Sequence, residues 1–209
     1  MQIKTFVFNR IRTNTYVVWD DSGECIFIDA SCESLQERER LTTFVASQKL
    51  TPVGLYNTHG HPDHVTGNAF LCRHFNIKSY LHPDDNYNLE RAVEYGTNCE
   101  MNVEQPPVPL PLNNEVRFGN TTLQVLHTPG HSKGGVVFYS AAHNVMFTGD
   151  TLFAGTIGRT DLAGGDYDEI MHSIRTQLLV LPDETEVLAG HGYPTQIGKE
   201  RLQNPFLIN

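Results

Sequence analysis

The stretch from His59 to His64 constrains this chain most, because it places three imidazoles and a carboxylate within six positions: His59, His61, Asp63 and His64. It directly follows an apolar run at residues 53–57 that is typical of a buried strand, which delivers the loop to one place at a sheet edge. Imidazole and carboxylate together suit zinc, iron or manganese. Four ligands exceed what one catalytic metal takes from one loop, because such a site keeps a coordination position open. The stretch therefore predicts two metals side by side.

Three more ligand-type residues stand in the same local setting, namely His131, Asp150 and His191. Each follows a short apolar run and has a glycine directly before it, and glycine permits a positive φ and close backbone approach. Four strand ends are thus expected to aim seven side chains at one point. The expected metal ligands are His59, His61, Asp63, His64, His131, Asp150 and His191.

This order of residues resembles the metallo-β-lactamase-fold superfamily, whose signature is His-x-His-x-Asp-His followed by a later His, an Asp and a final His. The resemblance covers nearly the whole chain. Residues 149–153 and 158–162 are similar to the glyoxalase II and persulfide dioxygenase branch. Residues 190–192 and 197–207 are similar to a short, single-domain glyoxalase II-like subgroup. The resemblance implies a metal-dependent hydrolase.

Two segments depart from the pattern of that family. Asp29-Ala30-Ser31 stands where Asp-Pro-Gly is usual, and Tyr193 stands where the subgroup more often has proline. Neither departure removes a ligand. We expect Asp29 to orient a ligand rather than bind metal, and Tyr193 to pack rather than line the pocket.

The resemblance also implies how the ligands divide between two divalent ions, zinc first, with iron or manganese as alternatives. One ion is expected on His59, His61 and His131, the other on Asp63, His64 and His191, with Asp150 as the bridge. The residues expected to take a direct part in catalysis are Asp63, His64 and Asp150.

Arg159 is the candidate for substrate binding. It follows the glycine-rich segment 154–158, where glyoxalase II-like proteins carry a basic residue that contacts glutathione. An equally weighted alternative is that Arg159 bonds to loop carbonyls or to Asp161. The other histidines (His74, His82, His127, His143 and His172) lack the strand–glycine–ligand setting and are expected to play no metal role.

The order of predicted elements indicates an α+β fold. Strands are expected near 2–8, 14–19, 24–29, 53–57, 78–81, 115–118, 121–127, 135–140, 144–149 and 186–189. Helices are expected at 34–48, 65–75, from 82 towards 95 and at 167–180, with a short last helix after the final strand. This order fits an αββα sandwich of two packed mixed sheets with helices on the outer faces, forming one domain over residues 1–209. The proline-rich segment 105–111 is expected to be a stiff connector, with a docking motif as the alternative.

Composition and charge narrow the remaining possibilities. With 209 residues, of which 39% are hydrophobic, the chain can bury a sizeable core. A net charge of −9 disfavours nucleic acid as a partner. The sequence shows neither a signal-peptide pattern nor an apolar run of the roughly 18 residues that a membrane span needs. The four cysteines lack C-x-x-C spacing and are expected to be reduced thiols in a cytoplasmic protein.

These observations favour a cytoplasmic binuclear metallohydrolase, a thioesterase of the glyoxalase II type that acts on S-(2-hydroxyacyl) thiols such as S-lactoylglutathione. A thiolate leaves readily, because an ordinary thiol has a pKa of about 8.5. The alternatives are a mononuclear iron oxidoreductase similar to the persulfide dioxygenases, a lactonase, and a metal-binding protein without catalysis. The expected partner is a small-molecule thioester, and the sequence does not determine the oligomeric state.

Overall fold

The computed structural model describes residues 1–89, 107–110 and 115–208. In this part of the chain two six-stranded sheets pack face to face, and helices cover the outer face of each. Each sheet contains both parallel and antiparallel pairs. The predicted αββα sandwich of mixed sheets is therefore confirmed.

The first sheet contains six strands in the spatial order in which they occur in the chain. They are β1 (Gln2–Phe8), β2 (Thr13–Trp19), β3 (Glu24–Ile28), β4 (Thr51–Tyr56), β5 (Ser79–Leu81) and β6 (Val108–Pro109). Strands β1 to β3 form an antiparallel meander, and β3 to β6 run parallel to each other.

The second sheet begins with β7 (Glu115–Phe118), β8 (Thr121–His127), β9 (Val136–Ser140) and β10 (Val145–Gly149). A small separate hairpin follows, made of β11 (Leu152–Phe153) and β12 (Thr156–Ile157). The second sheet is completed by β13 (Glu186–Ala189) and β14 (Thr195–Gln196), and its spatial order is β14-β13-β10-β9-β8-β7.

The central strands are buried on both faces, and successive side chains alternate between two layers of the core. Tyr16 and Val18 point between the sheets, whereas Val17 packs outward against the helices of the first sheet. The second sheet repeats this division, with Phe138 between the sheets and Val137 facing the helices on its outer side.

The helices are α1 (Leu35–Ser47), α2 (Pro62–Val65), α3 (Asn68–Phe75), α4 (Tyr167–Ser173) and α5 (Ile197–Gln203). Helix α1 begins as expected at Ser34, whose hydroxyl accepts from the Glu37 backbone N–H while the Glu37 carboxylate accepts from the Ser34 N–H. This reciprocal capping box satisfies two donors that the first turn of a helix leaves unpaired.

The single helix expected over residues 65–75 is wrong, because the structure has two short helices separated by Thr66 and Gly67. The Gly67 N–H donates to the Ala30 carbonyl at 2.6 Å instead of continuing the helical bonding pattern. A Cβ at Gly67 would lie 3.0 Å from that same carbonyl oxygen. The close approach of the loop after β3 to Gly67 therefore interrupts the helix: α2 ends at Val65, and α3 begins at Asn68.

Three further segments differ in part from the expectation. The helix expected at 167–180 is α-helical only to Ser173 and continues as a π-helix over Ile174–Leu178. The proline-rich segment contributes β6, which pairs in parallel with β5, so this part is an edge strand rather than a connector. Proline is tolerated at an edge because it need not donate to a neighbouring strand. The helix expected from 82 towards 95 begins as a 3₁₀ turn at Pro83–Asp85, and residues beyond 89 lie outside the described residues.

Within the residues described, no helix is both long enough and apolar enough to cross a membrane. Three of the four cysteines are described there, and Cys25, Cys32 and Cys72 are buried free thiols.

Candidate metal centre

The seven expected ligands lie after four strand ends, at the edge where the two sheets meet. The loop after β4 carries His59 and His61, helix α2 directly after it carries Asp63 and His64, and the loops after β8, β10 and β13 carry His131, Asp150 and His191. Strands β8 and β10 are both antiparallel to β9, and β13 is parallel to β10. Strands β8, β10 and β13 therefore run in the same direction and end at the same edge of the sheet. Backbone hydrogen bonds join the sheets there, from Asn14 to Gly190 and from Val136 to Thr58. The structure brings all seven side chains together.

Three of the side chains form a group of histidines, His59, His61 and His131, which we call the three-histidine group. Its closest ring nitrogens are His61 Nδ1 and His131 Nε2, at 2.9 Å. His59 and His131 are buried, and His61 is half-buried at the mouth of a cleft. One nitrogen from each ring is near enough to the others to share a single cation.

Asp63, His64 and His191 form a second group, the mixed group. Asp63 Oδ2 lies 3.2 Å from His64 Nε2 and 3.3 Å from His191 Nε2. His64 is fully buried, whereas the side chains of Asp63 and His191 are 20% and 27% exposed. The mixed group is therefore the one closer to solvent.

Asp150 lies between the two groups. Its carboxylate is 3.4 Å from His64 Nε2, 3.6 Å from His191 Nε2 and 3.6 Å from His131 Nε2. A Cβ at Gly190 would overlap Asp150 Oδ1, so this position must be glycine for the carboxylate to reach the centre. Asp150 thus faces both groups and can contact a cation in either.

The outer nitrogens of three rings are held by acceptors. His131 Nδ1 lies 2.8 Å from the Arg159 carbonyl, His191 Nδ1 lies 3.2 Å from the Ile11 carbonyl, and His64 Nδ1 lies 2.8 Å from the Asp29 carboxylate. A carbonyl or carboxylate oxygen can only accept, so each Nδ1 carries the proton and a neutral ring turns its Nε2 lone pair inward. Two backbone carbonyls and the Asp29 carboxylate thereby orient these rings so that Nε2 can bind a cation.

Atoms at the centre lack protein partners in a way that fits metal binding. His59 Nε2, His64 Nε2 and Asp150 Oδ1 are buried and have no hydrogen-bond partner among the described residues. A buried polar atom without a partner costs about 1–3 kcal/mol. His131 Nε2 also points its lone pair at His61 Nδ1, and the two nitrogens need a proton or metal between them. The donor set of imidazole and carboxylate suits zinc, iron or manganese.

The electrostatics divide the two groups further. Burial and the neighbouring His131 lower the pKa of His61 to about 4, and burial with the charge of His64 holds the pKa of His59 well below its ordinary value. Burial acts in the same direction on His64, but Asp63, Asp29 and Asp150 outweigh it and raise the pKa of that ring well above its ordinary range.

The other members of the mixed group follow the same balance. Burial opposes the charge on His191, yet its hydrogen bond to Asp63 and the charge of Asp150 raise the pKa of His191. Burial would raise the pKa of each carboxylate, but the histidines outweigh it, so the pKa values of Asp63 and Asp150 are lowered. Both carboxylates are therefore ionised near neutral pH, while His59 and His61 are uncharged.

Asp29 orients a ligand in the way that its place at a strand end predicted. Its carboxylate accepts from the Thr58 backbone N–H and hydroxyl, each at 2.8 Å, in addition to its contact with His64. Asp29 itself has φ +55°, a left-handed backbone conformation that is unfavourable for any residue with a Cβ atom. No sequence pattern indicated a role for Thr13, whose hydroxyl donates to Asp63 Oδ2 at 2.8 Å.

A cleft of about 620 Å³ opens onto the centre. Besides ligands, its lining consists of Ile11, Pro62, Asn88, Phe153, Arg159, Leu162 and Ala163. Sequence reasoning identified only Arg159 among them. Of the other lining residues, only Ile11 could have been noticed in the sequence, as an isoleucine in the hairpin turn between β1 and β2. Its side chain is 60% exposed there.

Arg159 lies in a position that is compatible with substrate binding and also forms the predicted bond to Asp161. It lines the cleft, and its guanidinium forms a two-point ion pair with Asp161 at 2.7 and 2.8 Å. The expectation that Tyr193 packs is wrong, because its side chain is 81% exposed beside a shallow depression that also includes Phe153. Tyr193 follows Gly192, which has φ +80°, and this turn directs the ring outward.

A second group of potential ligands, His82, Asp84 and His127, has unsuitable geometry. The rings of His82 and His127 stack at 4.4 Å with an interplanar angle of 6°. Imidazole lone pairs lie in the ring plane, so those of stacked parallel rings cannot meet at one ion.

Comparison with known proteins agrees with this geometry. The family model described as the metallo-beta-lactamase superfamily matches residues 9–191. The hydroxyacylglutathione hydrolase GloC of Haemophilus influenzae is 34% identical over 212 residues, covering 99% of this chain and 98% of that protein. The persulfide dioxygenase ETHE1 of Bos taurus is 30% identical over 200 residues, covering 93% of this chain and 71% of that protein.

Two solved structures share the fold over almost the whole chain. The B3 metallo-beta-lactamase BLEG-1 has a TM-score of 0.90 and 34% identity, and the match covers 100% of both chains. TTHA1623 in a di-iron-bound form has a TM-score of 0.82 and 34% identity, covering 99% of this chain and 100% of that one. This chain therefore belongs to the metallo-β-lactamase superfamily, which includes hydrolases and oxidoreductases and in which TTHA1623 binds two irons.

Proposed function

We propose that residues 1–209 form a binuclear metal-dependent hydrolase domain, a thioesterase of the glyoxalase II type that acts on S-(2-hydroxyacyl) thiols such as S-lactoylglutathione. The observation that carries the proposal is the placement of one carboxylate, Asp150, between two complete ligand groups under an open cleft. The similarity to GloC along almost the full length of both chains supports the choice of substrate class.

The ligand roles follow the two groups. We assign one ion to His59, His61 and His131, the other to Asp63, His64 and His191, and the bridging position to Asp150. Bound divalent ions, zinc first among the candidates, would polarise the scissile carbonyl and lower the pKa of water from 15.7 to about 7.

The chain's own residues prepare this chemistry by holding its ligands still. The Arg159 and Ile11 carbonyls fix the rings of His131 and His191, and the Asp29 carboxylate fixes His64. Such outer contacts orient ligands and raise their basicity. Ile11, Phe153 and Leu162 supply an apolar wall that excludes water from the bound substrate.

The cleft lining favours a thioester over an amide. Apart from the clustered ligands, the described lining residues include no Asp, Glu, Lys, Tyr or Cys that could donate a proton. An amide nitrogen must be protonated before it leaves, whereas a thiolate needs little such help because its conjugate acid has a pKa of about 8.5.

The similarity to ETHE1 gives a second candidate, a persulfide dioxygenase with a single iron. Two His and one Asp with open positions suit iron that activates oxygen. A single iron would leave His64 and His191 without a metal to bind. Both of these rings face Asp150 at the centre, which favours two ions.

One experiment separates the two candidates. The purified protein is analysed for metal content and then supplied with S-lactoylglutathione or with glutathione persulfide. The hydrolase predicts about two metals per chain and thioester cleavage that stops when a chelator removes them. About one iron per chain, with oxygen uptake on the persulfide and no thioester cleavage, would establish the dioxygenase and reject the hydrolase.

A further inference from the structure

Asp85 is a buried carboxylate close to the metal centre that belongs to neither ligand group. It lies at the end of the 3₁₀ turn after β5 and is fully buried. Its Oδ2 accepts from the Gly60 backbone N–H at 2.6 Å and from the Ser132 hydroxyl at 3.0 Å. Its Oδ1 accepts from the Gly134 backbone N–H at 2.6 Å.

The three donors lie on the two loops that form the three-histidine group. Gly60 stands between His59 and His61, and Ser132 directly follows His131. The packing is tight, because a Cβ at Gly60 would lie 2.8 Å from the Asp85 carbonyl oxygen and one at Gly134 would lie 2.7 Å from the Asp85 nitrogen. One carboxylate therefore ties together two loops that belong to different sheets.

We propose that Asp85 is a positioning residue for the ion of the three-histidine group. By fixing Gly60 against Ser132 and Gly134, it sets the distance between the His59–His61 loop and His131. Hydrogen bonds to an ionised carboxylate are about twice as strong as neutral ones, so they hold this distance firmly. The proposal rests on the proposed metal centre and adds to it a residue that touches neither metal nor substrate.

The molecule contains a matched carboxylate at its other end. Asp20 is also buried and accepts from the Ser22 N–H and hydroxyl at 2.9 and 2.6 Å. It also accepts from the Asn120 N–H at 2.7 Å and the Thr121 hydroxyl at 2.8 Å. Asp20 thereby ties the β2–β3 turn to the β7–β8 turn, and the seven residues of β2 place it about 20 Å from the centre.

The test compares Asp85→Asn with Asp20→Asn. Each change keeps the shape of the side chain but replaces one carboxylate oxygen, an acceptor, with an amide N–H₂. That group cannot accept, so at least one hydrogen bond to the side chain is lost. Zinc affinity is measured by competition with a chelator, and the absorption spectrum of bound cobalt reports ligand geometry. We expect Asp85→Asn to weaken one of the two binding steps about 10- to 100-fold and to alter the cobalt spectrum. Asp20→Asn should lower thermal stability and leave both metal readouts at wild-type values.

The proposal is wrong if Asp85→Asn only lowers stability, as Asp20→Asn does, while its zinc affinities and cobalt spectrum match the wild type. A wild type that fails to bind two ions would instead reject the proposed metal centre, and Asp85 would lose its role with it. If Asp85→Asn does not fold, Ser132→Ala and Ser22→Ala make the same comparison with one hydroxyl removed from each carboxylate. Only Ser132→Ala should then weaken zinc binding, and equal affinities in the two variants would overturn the proposal.

Discussion

The two ligand groups share Asp150 but offer a cation different surroundings. The three-histidine group contains no carboxylate, and the pKa of His61 there is lowered to about 4. The mixed group is more open to solvent, and carboxylates raise the pKa values of His64 and His191. Near neutral pH, a metal ion entering the first group meets neutral rings at His59 and His61. An ion entering the second must displace protons, because only a deprotonated imidazole can bind metal.

This difference implies separate roles for the two groups. In the three-histidine group, His59 and His61 would bind an ion without releasing an excess proton, and hydrogen bonds to Asp85 and to the Arg159 carbonyl connect this group to its surroundings. The mixed group would exchange protons for its ion and lies nearer the solvent. The first ion would therefore be the more constant occupant, and the second the one that responds to conditions.

The largest effect is expected at the residue that the two groups share. Asp150→Asn keeps the shape of the side chain and removes the charge that faces both ions. We expect weaker binding of both ions and a loss of turnover on the order of 10²-fold or more. Elemental analysis and thioester hydrolysis measure the two effects, with Asp20→Asn as a control for loss of a buried carboxylate. Near-normal turnover with full metal content in Asp150→Asn would exclude a bridging role.

Removing one histidine from each group should separate the groups. His131→Ala is expected to release the ion of the three-histidine group, and His191→Ala the ion of the mixed group, so each variant should retain about one metal per chain. His127→Ala is a suitable control, because this exposed ring lies on the strand before His131 and donates to the Lys133 carbonyl away from the centre. If each single variant lost both ions, the two groups would bind as one unit and the comparison would fail.

The sequence predicted those parts of the site that depend on local pattern. A strand followed by a glycine and a ligand residue recurs at His131, Asp150 and His191, and local order suffices to place such a residue at a sheet edge. The positions of the main β-strands along the chain were predictable for the same reason, since alternation and turn residues are local properties.

The features that sequence reasoning missed depend on contacts between distant segments. Asp85 stands in a run that indicates only a helix start, and its role becomes visible when Gly60 and Gly134 are placed beside it. The break at Gly67 likewise depends on the Ala30 carbonyl, which is 37 positions away in the chain. A hydrogen bond from a backbone N–H to an acceptor far away in the chain leaves no local pattern in the sequence.

Acid should distinguish the groups without any mutation. The raised pKa values of His64 and His191 mean that protons compete with metal there even near neutral pH, and they compete more strongly as the pH falls. His61 remains neutral until the pH approaches 4, so its group keeps its ion to lower pH. Chelator competition between about pH 5 and pH 8 should show one affinity falling steeply and the other slowly. Parallel loss of both ions would contradict the electrostatic difference.

The smallest effect is expected at Arg159, which contacts the centre only through its backbone carbonyl. Because the Arg159→Ala variant keeps that carbonyl, His131 should remain oriented and kcat should change little. For an anionic thioester we expect KM to rise about three-fold, which marks the loss of binding that ground state and transition state share. A neutral thioester should be unaffected. Arg117→Ala is the matched control, because Arg117 is also exposed and paired with a carboxylate two residues away, on Glu115.

The ion pair with Asp161 sharpens this last prediction, because it neutralises the charge that would attract an anionic substrate. Asp161→Asn should free the guanidinium and lower KM for the anionic thioester, opposite in sign to Arg159→Ala. The alternative is that the pair only holds the loop, in which case both variants should raise KM for anionic and neutral substrates alike. A solvent-exposed ion pair contributes little to stability, so neither variant should unfold the protein and obscure the result. Equal losses on both substrates would assign Arg159 to the loop and leave the apolar wall of the cleft as the main determinant of substrate choice.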